Sequence, residues 1–344
     1  MGTVNIEIML KGDAIMKENK KIIPIFYACD TNYLPYLSVS LISLKKHAKK
    51  SFLYRIYILH SGIEENKQLP ILSLHESWFV IEFVNVNERL NKVNNSLQLR
   101  DYYTASTYYR MFIADMFLEY DKALYIDSDT VILNDIEKLY NKKIKDNYVG
   151  AITDGVVSGN EIFEKYTKEV LGIKAKRYFN AGVLIMNLKK FREENFYKQF
   201  VDLLRKYRFV VAQDQDYLNV ICKDKIKYLA NKWNTMPIKE KSKKSPSLIH
   251  YNLTLKPWHY LDIPYAEYFW KYAKESYYYD DIRKEFGNYN TQKIKSDEKT
   301  ELSLLDLALS EIKKEDNYIK LVKKEQDTVS QFINQEGTVN QNAI

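Results

Sequence analysis

Short, apolar, β-rich runs alternate with helical patterns over the first 250 or so residues, and this alternation constrains the fold more than any other feature of the chain. Residues 22–28 (IIPIFYA), 54–59 (YRIYIL), 78–86 (WFVIEFVNV) and 123–127 (ALYID) read as strands, because each is brief and rich in β-branched and aromatic residues. Between the first two, Leu34, Leu37, Leu41 and Leu44 recur at helical spacing. Residues 106–117 read as a further helix and 188–207 as a long amphipathic one, with strands at 147–153, 179–187 and 248–251. Strands that alternate with helices predict an α/β fold built on a largely parallel sheet.

Composition narrows the possibilities. The 344 residues, 46% of them hydrophobic, suffice for one large domain with additions, or for two domains. The net charge of +7 is too diffuse to name an anionic partner, and no nucleic acid is expected. Lys241, Lys243 and Lys244 form the densest basic patch, which reads as a solvated loop. Two cysteines, Cys29 and Cys222, build no disulfide framework, so a cytoplasmic location is expected. No run approaches 18 apolar residues. Tyrosine is abundant at 29 residues, mostly for packing, with exposed rings able to stack on sugars.

The chemistry begins at LYIDSDT. A strand running into Asp127-Ser128-Asp129 places two carboxylates at the carboxyl end of a sheet, where open α/β folds bind ligands. Carboxylates that close repel unless a cation lies between them, and oxygen ligands suit Mg²⁺ or Mn²⁺. The same letters fit the motif of haloacid-dehalogenase-like phosphatases, with Asp127 as nucleophile. That fold carries the motif on its first strand and needs a later Gly-Asp; neither condition is met.

Further motifs sharpen the choice. Ala181-Gly182 is a small step inside an apolar strand, marking a bulge or a close approach to the backbone. Asp214, Gln215 and Asp216 open a helix, where an aspartate either caps or faces a site. His250, at a strand end, is a candidate third ligand of the cation, and Lys256 a point charge for a phosphate.

In their order, FYACDTNYLPYLSVSLISL, STYYRM, LYIDSDT, YFNAGVLIMNL, AQDQDYLN and HYNLTLKPWH resemble the motifs of family 8 glycosyltransferases, over roughly residues 22–260. The resemblance implies a GT-A fold, a Rossmann-like nucleotide-binding mixed sheet flanked by helices. It implies a UDP-hexose donor, either UDP-galactose or UDP-glucose, with Mn²⁺ (or Mg²⁺) and retention of anomeric configuration. Asp127, Asp129 and His250 then correspond to the metal ligands. Ala28, Asp30, Asn32 and Tyr33 correspond to the uridine site, with Ser128 near the ribose. Arg110, Asn180 and Ala181 correspond to sugar contacts, and Lys256 to the diphosphate clamp. Asp214 corresponds to a sugar-hydroxyl binder, Gln215 to the side chain nearest the reacting carbon, and Asp154 lines the same pocket. One departure stands out: the family often has glycine three residues after the metal histidine, and this chain has Leu253.

The expected organisation is an N-terminal arm (1–20), a catalytic domain (21–262), a helical C-terminal extension (263–330) and an unstructured tail (331–344). The acceptor, a glycan, glycolipid or glycoprotein, would be met by residues 86–105, 231–247 and the region after 260, with Trp233 as a stacking candidate. Residues 301–325 read as one Leu- and Lys-bearing amphipathic helix. It would pack on its own domain or make peripheral contact with the inner membrane face. A non-catalytic nucleotide-sugar-binding protein on the same scaffold is the other alternative.

Overall fold

A computed structural model describes residues 20–92, 105–238 and 245–341. The expected arm up to residue 19, the lysines at 241, 243 and 244, and much of 86–105 fall outside the described residues.

Seven strands form one twisted sheet. They are β1 (Ile22–Ala28), β2 (Leu53–His60), β3 (Phe79–Asn85), β4 (Ala123–Ile126), β6 (Val149–Thr153), β7 (Phe179–Met186) and β8 (Ile226–Tyr228), in the order β3-β2-β1-β4-β7-β6-β8. The four strands β3, β2, β1 and β4 are parallel, but β7 runs antiparallel to both β4 and β6, so the sheet is mixed. Its central strands are buried on both faces, which is why they read as continuous apolar runs without alternation. Helix α1 (Leu34–His47) covers one face, and its stripe of Leu34, Leu37, Leu41 and Leu44 is buried.

A second, two-stranded sheet matters more for function. β5 (Thr130–Ile132) pairs antiparallel with β9 (Leu248–His250), in a register that sets Thr130 opposite His250. Residues 120 positions apart are thereby brought to one point beside the end of β4.

Three helical expectations are corrected. The segment 106–117 is a 3₁₀ stretch (Ala105–Phe112) followed by one α-turn, because Tyr108 through Phe112 are buried in succession and no single helix face could hold them. The helix expected over 188–207 is two, α2 (Leu188–Glu193) and α3 (Phe196–Lys206), broken at Asn195, which adopts a left-handed conformation (φ 53°) and lets Phe191 stack on Phe196 at 3.9 Å; α4 (Asp214–Ile221) follows. The helix expected over 301–325 is two, split around residues 314–317.

The C-terminal part comprises α5 (Ala266–Ala273), α6 (Tyr279–Gly287), α7 (Thr291–Lys313) and α8 (Tyr318–Gln341). Where a tail free of structure is expected from residue 331, the described helix continues to Gln341. Leu304, Leu305, Leu307, Ala308 and Ile312 of α7 pack against the main core, and Leu302, 63% exposed, is the large apolar side chain of the described 301–325 segment that faces water. The amphipathic pattern of α7 therefore serves the domain's own packing. No described helix is long and apolar enough to cross a membrane.

Candidate active site

The end of β4 delivers Asp127 and Asp129 into a cleft that is also lined by Ala28, Arg110, Gln215 and Lys256. Ser128, between them, turns inward and donates its hydroxyl to the Ala28 carbonyl at 2.9 Å, locking the turn to the end of β1. The β5–β9 pairing then supplies His250, whose Nε2 lies 3.2 Å from Asp129 Oδ1 and 3.7 Å from Asp127 Oδ2. Tyr251 N–H donates to the Asp129 carbonyl at 2.9 Å and extends this register. One ligand atom from each of Asp127, Asp129 and His250 falls within 4.8 Å of the others, so the three could hold a metal ion.

The approach of β7 is part of the same geometry. Asp127 N–H donates to the Gly182 carbonyl at 2.8 Å. A Cβ on Gly182 would lie 2.2 Å from His250 Cε1 and 2.7 Å from Asp127 Oδ2, so glycine here means close approach rather than a bulge.

A second layer orients these groups. Asp127 Oδ1 accepts from Arg110 Nη2 (3.0 Å) and the Tyr125 hydroxyl (2.8 Å), which leaves Oδ2 facing His250. Arg110 is buried, lies over the Tyr125 ring and donates to the Ala181 and Thr107 carbonyls. Burial works against its charge, but Asp127, Tyr125 and Asp214 outweigh it and keep the guanidinium protonated. His250 Nδ1 meets Asn234 Oδ1 at 3.0 Å, and Asn234 Nδ2 donates to Asn180 Oδ1 at 2.8 Å. Because Asn234 Nδ2 is engaged as a donor, its oxygen accepts from Nδ1–H, so Nε2 is the ring nitrogen left to face the carboxylates.

Lys256 is buried and donates to Asp129 Oδ2 and the Tyr251 carbonyl, both at 2.5 Å. Burial pushes the Asp129 carboxyl up, but Lys256 and His250 prevail and hold it well below the usual carboxylate range. Burial pushes the Lys256 ammonium down, but Asp129, with Tyr33 and Asp127, holds it above its ordinary value. Leu253 has φ 53°, so the chain enters the Lys256 turn through a left-handed residue that is not glycine.

On the other side of Gly182 lies a polar network. Gln215 Oε1 accepts from Ala181 N–H (2.9 Å) and Asn180 Nδ2 (3.2 Å), and Gln215 Nε2 donates to Asp154 Oδ2 (3.2 Å). Asp154 Oδ2 also accepts from Asn180, while its Oδ1 takes the Val156 and Val157 N–H groups. Asp214 sits 3.2 Å from Arg110 Nε, whose hydrogen is directed to the Thr107 carbonyl, so that contact is an ion pair without a hydrogen bond. Burial pushes the Asp214 carboxyl up to about 7, with Arg110 opposing and Asp127 reinforcing the shift. Asp216 turns away from the cleft. It accepts from Tyr166 (2.8 Å), Tyr178 (2.6 Å) and Ala212 N–H (3.0 Å), and burial still pushes it up to about 6.

Of the expected site residues, Ala28, Asp30, Tyr33, Arg110, Asp127, Ser128, Asp129, Asp154, Asn180, Ala181, Asp214, Gln215, His250 and Lys256 all line the one cleft. Asn32 is exposed and lies off its lining; its N–H is held by Asp30 Oδ1, which caps the turn. Trp233 is only 2% exposed and packs in the core, so it offers no stacking platform to an acceptor. Sequence reasoning missed Asn234 and Tyr125, which have no local signal, and Leu304, by which α7 reaches the cleft.

The sequence profile of glycosyl transferase family 8 matches residues 24–262. A Haemophilus influenzae protein with only a general glycosyltransferase designation is 33% identical over 246 residues, 68% of this chain and 72% of that protein. The lipopolysaccharide 1,3-galactosyltransferase of Salmonella typhimurium is 26% identical over 71% of this chain and 76% of its own length. Among solved structures, galactosyltransferase LgtC in complex with donor and acceptor sugar analogues superposes with a TM-score of 0.64 at 27% identity, covering 74% of this chain and 96% of LgtC. An active-site glutamine-to-glutamate mutant of LgtC superposes equally well. The bifunctional WbbM protein gives 0.69 at 24% identity, a likeness of fold alone, in which 78% of this chain spans 52% of WbbM.

Proposed function

The chain belongs to glycosyl transferase family 8, and from that premise we propose that it is a retaining, Mn²⁺-dependent transferase that moves galactose or glucose from a UDP-sugar to a sugar-bearing acceptor. The observation that carries this reading is the convergence of Asp127, Asp129 and His250 beside Lys256 and Gln215 in one cleft.

The residues fit a divalent cation on two counts. The donor set is two carboxylates and an imidazole whose Nδ1 is taken up by Asn234, leaving Nε2 toward the carboxylates, and the missing side chain at Gly182 is what lets His250 approach Asp127. A divalent cation bound there would supply positive charge to the leaving diphosphate, acting as a Lewis acid.

The remaining work falls to the chain. Lys256, kept charged and buried, stabilises the negative charge that develops on the departing phosphate. Ala28, Asp30 and Tyr33, at the end of β1, line the end of the cleft suited to the base. Arg110 and Asp214 face the sugar hydroxyls. Gln215 is held under the sugar by Ala181 N–H and Asp154, and an amide is a poor nucleophile. Both Asp154 oxygens are engaged as acceptors, which disfavours covalent attack from that residue. The acceptor hydroxyl therefore attacks from the face the phosphate leaves, and the phosphate oxygen takes its proton. The active-site glutamine of LgtC supports assigning Gln215 to this corner.

A screen of UDP-sugars for Mn²⁺-dependent UDP release, followed by transfer of the preferred sugar to an acceptor panel, tests the reading. Release from UDP-galactose or UDP-glucose that disappears in Asp127→Ala is expected. Turnover of simple phosphate esters with no release from any UDP-sugar would favour the phosphatase alternative.

A further inference from the structure

The loop that carries Lys256 is held from a part of the chain beyond the family match. Resting on the reading of Lys256 as the diphosphate partner, we propose that the C-terminal helices clamp this loop for donor binding, with Glu285, Asp297 and Glu301 as positioning residues.

Residues 252–262 leave β9 through the left-handed Leu253 and close into a tight turn around Lys256. His259 N–H and Tyr260 N–H both donate to the Lys256 carbonyl, at 3.0 and 3.1 Å. Three side-chain donors of this turn each reach a carboxylate past residue 262. The Thr254 hydroxyl donates to Glu301. His259 Nε2 meets Glu285 Oε1 at 3.0 Å. The Tyr260 hydroxyl donates to Asp297 Oδ2 at 2.6 Å. A carboxylate only accepts, so the His259 proton sits on Nε2.

Rings back these bonds. Tyr36 of α1 stacks on Trp258 with centroids 3.8 Å apart and donates its hydroxyl to Glu285. Tyr289 stacks on His259 at 3.8 Å and donates to Asp297. Lys256 thus lies between three anchor points, from α6 and two turns of α7, on a turn entered through the left-handed Leu253. Misplacing a charged group by about 1 Å can cost about a hundredfold in rate, so fixing the turn fixes the position of the ammonium.

The test is UDP affinity in the presence of Mn²⁺, by calorimetry on the full chain, for a Glu285→Ala, Asp297→Ala, Glu301→Ala triple variant and for the corresponding Gln, Asn, Gln triple. The alanine triple is expected to weaken UDP binding about tenfold or more with its far-UV circular dichroism unchanged, and to raise KM for the UDP-sugar more than it lowers kcat. The amide triple, which keeps acceptor oxygens, is expected to stay within about threefold of wild type. If the alanine triple does not fold, Thr254→Val with Tyr260→Phe removes donors from the loop side and is expected to give the same loss. A folded alanine triple, or a folded Thr254→Val, Tyr260→Phe pair, that binds UDP as wild type does overturns the clamp, as does equal loss in the amide triple. A wild-type chain that binds no UDP overturns the donor-site reading instead, and the clamp with it.

Discussion

His250 occupies the space that a side chain on Gly182 would need: a Cβ there would stand 2.2 Å from the imidazole Cε1. The closeness of β7 to the β5–β9 pair is therefore a condition for bringing the histidine to the two aspartates. Gly182→Ala should displace His250 and weaken Mn²⁺ binding by about tenfold or more, while β7 keeps its backbone pairing. Mn²⁺ titration followed by electron paramagnetic resonance checks this, and an unchanged affinity would separate Gly182 from the site.

Asn234 fixes the His250 tautomer through Nδ1 and is itself held by Asn180. Removing such an outer partner costs about 10–100-fold in metal affinity or activity. Asn234→Ala is expected to fall in that range for Mn²⁺-supported UDP release, with the fold retained by circular dichroism. Full activity would show that the imidazole is oriented by other means.

Leu253 holds φ 53°. A non-glycine residue in that region costs about 1–2 kcal/mol, so Leu253→Gly removes strain that offsets the greater freedom of glycine in the unfolded chain. The substitution is expected to leave the thermal midpoint level or higher, and to keep UDP binding. A marked fall in the midpoint would mean that Leu253 contributes more by packing than its backbone costs.

How much of this was legible in the sequence depends on distance along the chain. The strands of the large sheet and the leucine face of α1 follow from local pattern, and so do the two carboxylates at the end of β4. Ala181-Gly182 pointed to a close approach without saying of what. The pairing of Thr130 with His250 is different, because three-residue strands 120 positions apart carry almost no pattern: His250 stood out as a candidate third ligand, but the strand pairing that delivers it did not. Asn234 had no signal of its own. Trp233, two residues before Thr235 and next to a polar segment, looked available to a sugar, yet burial decides its role. The break at Asn195 and the division of 301–325 into two helices were missed because helical periodicity continues across both gaps.

Asp216 is a buried carboxyl pushed up to about 6, chiefly by burial, with Tyr178, Tyr166 and Ala212 N–H opposing. Between the ordinary aspartate value near 3.8 and about 6, the unfolded chain has lost this proton while the folded chain keeps it. Its contribution to stability therefore falls as pH rises through that window and levels off above about 6, by about 2–3 kcal/mol in all. Denaturant midpoints of wild type and Asp216→Asn from pH 4 to 7 check this: the difference between the two proteins should change across the window. A constant difference would contradict the shift.

The account rests on a cation held by Asp127, Asp129 and His250 in the presence of the nucleotide. Calorimetric titration of MnCl₂ into the full chain with saturating UDP, for wild type and for Asp127→Ala, Asp129→Ala and His250→Ala, tests it most directly. A single bound ion in the wild type that is lost in each of the three variants is the result the account requires. Wild-type protein that binds no Mn²⁺ under these conditions, or any variant that binds it as tightly as wild type, would contradict it.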